Sequence, residues 1–171
     1  MGYHLYYFYE DEEKLAKVLA DFFMEGLRKL EYCMWIPRRE ITHDKAIKLF
    51  KKHIPDIEDY LLKDQMYIKA FEDWYLTEDG RFDKDAMMVK WKNKYDEVMR
   101  RGFAMMRVAG DPSSLAKEYW NEVMAYEARA NELIGDVSVI AVCTYNGKLY
   151  KPSEIHSILT NHLCSLNPNH I

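Results

Sequence analysis

The chain of 171 residues carries a net charge of −4, with 49% apolar and 30% charged residues, the profile of one ordinary folded domain. Those figures exclude a collagen-like, disulfide-stapled or wholly disordered chain, and they give no general basic footprint for nucleic acid. Three cysteines, Cys33, Cys143 and Cys164, make an odd count with no CxxC, which points to a reducing compartment. The stretch Met1–Tyr9 has no basic n-region and runs into Glu10-Asp11-Glu12-Glu13, unlike a signal peptide, and no apolar run is long enough to cross a bilayer. The expectation is a single cytoplasmic domain over 1–171 with its core at about 3–163. Thirteen tyrosines and ten methionines suit contact surfaces as well as cores.

In chain order, Leu5–Tyr9 reads as a first strand. Asp11–Leu30 reads as a strong helix, with Leu15, Val18, Leu19, Phe22, Phe23, Leu27 and Leu30 at helical spacing. Tyr32–Ile36 is a second strand stopped by Pro37. Thr42–His53 is a helix with a soft start, because Thr42 and Lys45 do not complete a capping box. Pro55–Lys63 is a short helix or a loop. Met66–Phe71 is a third strand, and Glu72–Phe82, with its Asp79-Gly80 turn signal, is a loop. Asp83 caps a helix running to Arg101, ended by Gly102. Phe103–Ala109 is a fourth strand, Gly110–Ser114 a turn, and a helix then runs to Ile134, ended by Gly135. Val137–Tyr145 is the clearest strand, and Asn146-Gly147 reads as a hairpin-type turn. Ser153–Leu163 is the last helix, opened by Pro152, and the tail 167–171 is expected to fray.

Five short strands alternating with helices predict an α/β fold, a three-layer sandwich around a largely parallel sheet. Ligands in such folds sit beyond the carboxyl ends of the strands. The sharp motifs of nucleotide, metal and hydrolase chemistry, from GxGxxG and GxxxxGK[ST] to HExxH, GxSxG and zinc-type Cys/His spacings, are missing. The first strand-to-helix turn holds four carboxylates, Glu10–Glu13, which suit a helix N-terminus and repel phosphate. His162 and Cys164 make at most a pair of metal donors, and His4 reads as a core histidine held by a backbone carbonyl. Glu127 shares a helical stripe with Trp120, Val123, Ala130 and Ile134, so it points inward and needs a partner. Arg107 in the fourth strand is the expected one.

These residues also carry a family resemblance. Tyr9-Glu10-Asp11 before a long helix, Phe22-Phe23 followed by Gly26-Leu27, and Cys33 in the next strand resemble the opening of the MEDS domain. This is a sensory domain named for methanogens, methylotrophs and the dichloromethane-responsive regulator. Gly102 before Met106-Arg107-Val108 and Gly110-Asp111, Tyr126-Glu127 with Asn131-Glu132-Leu133, Val142-Cys143-Thr144-Tyr145, and a terminal helix with His162 continue it from about Tyr3 to Leu163. The chain departs from the pattern at Leu163, where a proline is expected. The resemblance implies a RecA/KaiC-like core that has lost its phosphate loop. It further implies a non-catalytic sensor of small hydrocarbon derivatives in prokaryotic, archaeal-type signalling. The expected single domain leaves no room for a kinase or DNA-binding module, so output is expected to pass through a partner protein. No cofactor, metal, membrane or direct nucleic-acid contact is implied, and a homodimer is left open. The alternatives are an interaction module that kept the fold and lost ligand binding, and an enzyme with an unfamiliar site around Cys33, Cys143, Arg107 and Glu127. For the sensor, Tyr9, Cys33, Arg107, Glu127, Cys143 and Tyr145 are the expected ligand-binding residues. Tyr9, Arg107, Glu127 and Cys143 are expected to line one small pocket in which an Arg107–Glu127 pair orients a polar group.

Overall fold

The computed structural model describes residues 2–167. Its elements are β1 (Tyr3–Tyr9), α1 (Glu12–Arg28), β2 (Tyr32–Ile36), α2 (His43–Lys51), α3 (Ile57–Leu62), β3 (Met66–Ile68), α4 (Phe71–Tyr75), α5 (Lys84–Arg100), β4 (Met106–Gly110), α6 (Trp120–Gly135), β5 (Val139–Asn146), α7 (Pro152–Thr160) and β6 (Cys164–Ser165). Single 3₁₀ turns lie at Pro112–Ser114, Lys117–Tyr119 and Gly147–Leu149.

The strands form one sheet in the order β3-β2-β4-β5-β1-β6, and every pairing is parallel. The expected fold class stands, with six strands where five were expected. Parallel neighbours need right-handed crossovers, so the direction of each step across the sheet decides the face of its helix. The steps β1 to β2 and β2 to β3 run one way, and they put α1, α2 and α3 on one face. The steps β3 to β4, β4 to β5 and β5 to β6 run the other way, and they put α4 to α7 opposite.

Helix α1 forms where its sequence predicts. The Asp11 side chain accepts from the Lys14 amide at 2.8 Å, Glu12 and Glu13 favour the positive end of the helix, and Leu15, Leu19, Phe22 and Phe23 fall on one buried stripe. Each such side chain contributes roughly 1.5–3 kcal/mol on burial. The helix stops at Arg28 rather than Leu30. Leu30 takes the left-handed conformation (φ 58°), stands exposed, and lets the Glu31 amide bond back to the Gly26 carbonyl at 2.9 Å. Thr42 caps helix α2, its hydroxyl accepting from the Lys45 amide at 3.4 Å. Asp83 caps α5, and Gly102 (φ 88°) ends it.

Three expectations are corrected. Phe71–Tyr75 is a helix, because Phe71, Trp74 and Tyr75 all turn into the core beneath α5. The fourth strand starts at Met106, not Phe103. The segment after Asn146-Gly147 does not turn back as a hairpin; it runs into α7, because the next strand, β6, is parallel to β1. That short strand follows His162 and pairs Leu5 with Cys164 and Tyr6 with Ser165. The tail expected to fray lies, apart from Asn167, outside the described residues.

Candidate functional site

The sheet divides the six expected site residues. Tyr9, Cys33 and Arg107 face α1, whereas Glu127, Cys143 and Tyr145 belong to the α6 layer. The single pocket expected at the strand ends, and its Arg107–Glu127 pair, are therefore not formed.

Arg107 instead lies across α1. Its Nε donates to Glu31 at 2.5 Å, and its Nη1 donates to Glu25 at 3.0 Å and to the Phe22 carbonyl at 3.1 Å. The guanidinium also covers the Phe22 ring. Gly26 makes this path, since a Cβ there would lie 2.7 Å from Arg107 Cδ and 2.9 Å from Glu31 Oε2. Cys33, on the same face, is sealed in the core, and burial pushes its thiol far up the pH scale.

The carboxyl ends of the strands are closed by the chain's own groups. Tyr9 donates to Asp111 at 2.6 Å, and Asp111 also accepts from the Ser113 amide at 2.9 Å. Burial raises the Asp111 carboxyl above its ordinary value, against the pull of these two hydrogen bonds. At the α1 N-terminus Glu12 pairs with Arg38 at 2.7 Å and Lys45 at 2.6 Å. Ser114 bridges the Arg39 amide and the Glu40 carboxylate. The place where a phosphate cradle would open is thus occupied by carboxylates and their cations.

The second buried centre was only half legible. Glu127, on α6, is 1% exposed. Its Oε1 accepts from Tyr145 at 3.1 Å. Its Oε2 lies 3.2 Å from His4 Nε2, 3.3 Å from Cys143 Sγ and 3.6 Å from His162 Nε2. Burial alone would raise the carboxyl; the His4 hydrogen bond and the neighbouring imidazoles outweigh it and hold Glu127 below the ordinary carboxylate value. Burial pushes the His162 imidazole down, Glu127 pulling the other way. The histidine held by a backbone carbonyl is His162, through Ile158 at 2.7 Å, and not His4. The two rings stack at 4.2 Å between centroids. His162 escaped the sequence reading as part of this centre because it lies outside any helical stripe, on the segment that leads into β6.

Two of the spaces beside this layer share walls. A cavity of about 10 Å³ lies beside His4 and Cys143, walled by Trp74, Tyr75, Trp91, Tyr126 and Ile134 among others. A second, apolar pocket of about 180 Å³ opens between α5 and α6 near Val139, the first residue of β5. Trp91, Tyr95, Leu133, Ile134, Val137 and Val139 line it, with Lys92 and Asp96 at its rim. Trp91 and Ile134 belong to both walls.

No helix among the described residues is long and apolar enough to cross a membrane. No curated protein sequence matches the chain. Among solved structures it is similar to the flagellar accessory protein FlaH from Methanocaldococcus jannaschii, with a TM-score of 0.59, 13% identity, and coverage of 94% of this chain and 68% of that one. That likeness shows the fold alone, a RecA-like parallel sheet between helical layers. Residues 3–163 match the family described as the methanogen/methylotroph, DcmR sensory domain, MEDS. The chain belongs to the MEDS family.

Proposed function

We propose that this domain is a non-catalytic sensor of a small hydrocarbon derivative that passes its signal to a partner protein inside the cell. The apolar pocket between α5 and α6 carries this reading. Its volume of about 180 Å³ lies below the range of drug-sized sites and suits a compound of a few carbon atoms. It offers aromatic and aliphatic walls, a charged rim, and a wall shared with the Glu127 centre through Trp91 and Ile134. A ligand there would press on α6, whose other end reaches the strand-end turns. The closed strand ends, with Glu12, Arg38 and Lys45 at the α1 N-terminus, support a reading without nucleotide chemistry.

A thermal-shift panel of small alcohols, methylamines, halomethanes and nucleotides tests it. At a hundredfold excess over Kd a specific ligand should raise Tm by roughly 5–10 °C. Leu133→Trp, which fills the pocket, should abolish that rise. A shift with ATP and none with small carbon compounds would overturn the reading. With no shift at all the second reading takes over, an interaction module. It is favoured by the exposed Leu149, Leu159 and Leu163 around α7 and the edge strand.

A further inference from the structure

We infer that His4, Glu127, Cys143 and His162 form a site for one divalent transition-metal ion of the zinc type. The proposal goes beyond the sensor reading and stands whether or not the domain senses anything.

The donor atoms of this centre hold too few protons. His162 Nδ1 has a carbonyl, that of Ile158, as its partner, so it carries the hydrogen. The lone pair of the neutral ring is then on Nε2, which is buried, makes no hydrogen bond and faces a carboxylate oxygen at 3.6 Å. Two acceptors facing each other in a dry interior are unfavourable. The thiol of Cys143 and the ring of His4 bring at most one proton each to the same spot. Four donor atoms from β1, α6, β5 and the approach to β6 thus crowd within 4.8 Å of one another with too few hydrogens among them. A cation supplies what is missing.

The geometry also points to a metal ion. Ligands at roughly 2.0–2.3 Å from a tetrahedral zinc ion stand about 3.3–3.7 Å apart. Four of the six separations are 3.2 Å (His4 Nε2 to Glu127 Oε2), 3.3 Å (His4 Nε2 to Cys143 Sγ), 3.3 Å (Cys143 Sγ to Glu127 Oε2) and 3.6 Å (His162 Nε2 to Glu127 Oε2), and the other two, from His162 Nε2 to His4 Nε2 and to Cys143 Sγ, lie within 4.8 Å. The donor set, two imidazoles, a thiol and a carboxylate, suits a borderline-soft ion and not magnesium or calcium, which prefer oxygen. One thiolate and one carboxylate neutralise a divalent charge. Two of the four donors have outer partners, with Tyr145 donating to Glu127 Oε1 and His162 Nδ1 donating to the Ile158 carbonyl, whereas His4 Nδ1 has none.

Binding breaks the Cys143 S–H bond, forms a sulfur–metal bond and releases one proton to solvent, with no change of oxidation state. All four positions come from the chain, so the ion would be structural, clasping the edge strand β6 to β1, β5 and α6.

Cobalt(II) substitution tests this on the full chain, stripped with chelator. One equivalent should bind with release of one proton, giving the strong visible bands of tetrahedral Co(II) and a thiolate-to-cobalt charge-transfer band. Zn(II) should displace it and raise Tm. Cys164→Ser, at an exposed position, should keep the charge-transfer band, since Cys33 lies across the sheet. Binding without a thiolate band, as expected of the exposed His43, His53 and His156, would overturn the proposal. So would loss of the band in Cys164→Ser, or no binding at all.

Discussion

The two faces of the sheet each bury a charged side chain with several partners, Arg107 and Glu127, and they settle it in opposite ways. On the α1 face Arg107 meets two carboxylates and a carbonyl, all within 3.1 Å, and one of those carboxylates, Glu25, stays at the surface. With Lys29 on the other oxygen of Glu25 at 2.6 Å, charge and hydrogen bonds balance, and nothing further is called for. On the α6 face Glu127 meets two imidazoles, a thiol and a phenol, none of which carries a fixed positive charge. One ring nitrogen of each histidine is left without a hydrogen bond. Burial of a charge is therefore no mark of function by itself; what marks the α6 face is the imbalance. A protein keeps an unbalanced polar centre only against a steady cost in stability.

The largest effect that can break this contrast is on stability. Arg107→Ala strands Glu31, which is 8% exposed, and should cost about 3–5 kcal/mol in urea unfolding. Glu127→Gln keeps the shape and removes an uncompensated charge, so the chelator-treated protein should change by no more than about 1 kcal/mol. Equal losses in the two variants would show that both faces are ordinary structural ion pairs.

A smaller effect sharpens the contrast. Arg107 and Glu31 should couple by about 1–3 kcal/mol in a double-mutant cycle, whereas Arg107 and Glu127, on opposite faces with no common partner, should add to within about 0.5 kcal/mol. Coupling between the latter pair would restore the partnership that their sequence positions suggest.

That suggestion shows where sequence reasoning stops. Helical spacing showed that Glu127 points inward, and it does. It could not tell which side of the sheet "inward" is, because that depends on strand order, and strand order sets the direction of each crossover. Strand parity could have warned of the split, for Arg107 lies in register with Cys33. Elements with dense local signals were legible: Tyr32–Ile36 as an unbroken apolar run, Asp11 and Asp83 as caps, Gly102 as a stop. Helix α4 was hidden by the turn signal at Asp79-Gly80 a few residues later. Strand β6 was hidden because two residues, Cys164 and Ser165, carry no periodicity. With β6 went the placement of His162, and so half of the imidazole pair.

The smallest effect is a pH dependence on the balanced face. Burial would raise the Glu12 carboxyl, but its hydrogen bonds to Lys45 and Arg38 prevail and hold it below its ordinary value of 4.5. The unfolded chain therefore binds the proton more readily. Stability from this group is complete above the ordinary value and is lost as pH falls through the folded one. Urea midpoints of wild type and Glu12→Gln should differ at neutral pH and converge as pH drops below 4.5. A gap that stays constant, or widens in acid, would remove Glu12 from the balanced set.

The position of β1 in the sheet has a consequence for synthesis. Its two neighbours are β5 and β6, so Tyr6 waits for Cys143 and Ser165. At ribosomal speeds of about 5–20 residues per second, the segment Tyr-His-Leu-Tyr-Tyr-Phe-Tyr leads its first neighbour by roughly 7–27 seconds. During that interval neither β5 nor β6 can cover its edges, and its composition favours cross-strand association between nascent chains. Strands β5 and β6, made late, are thus the ones that end the exposure of β1.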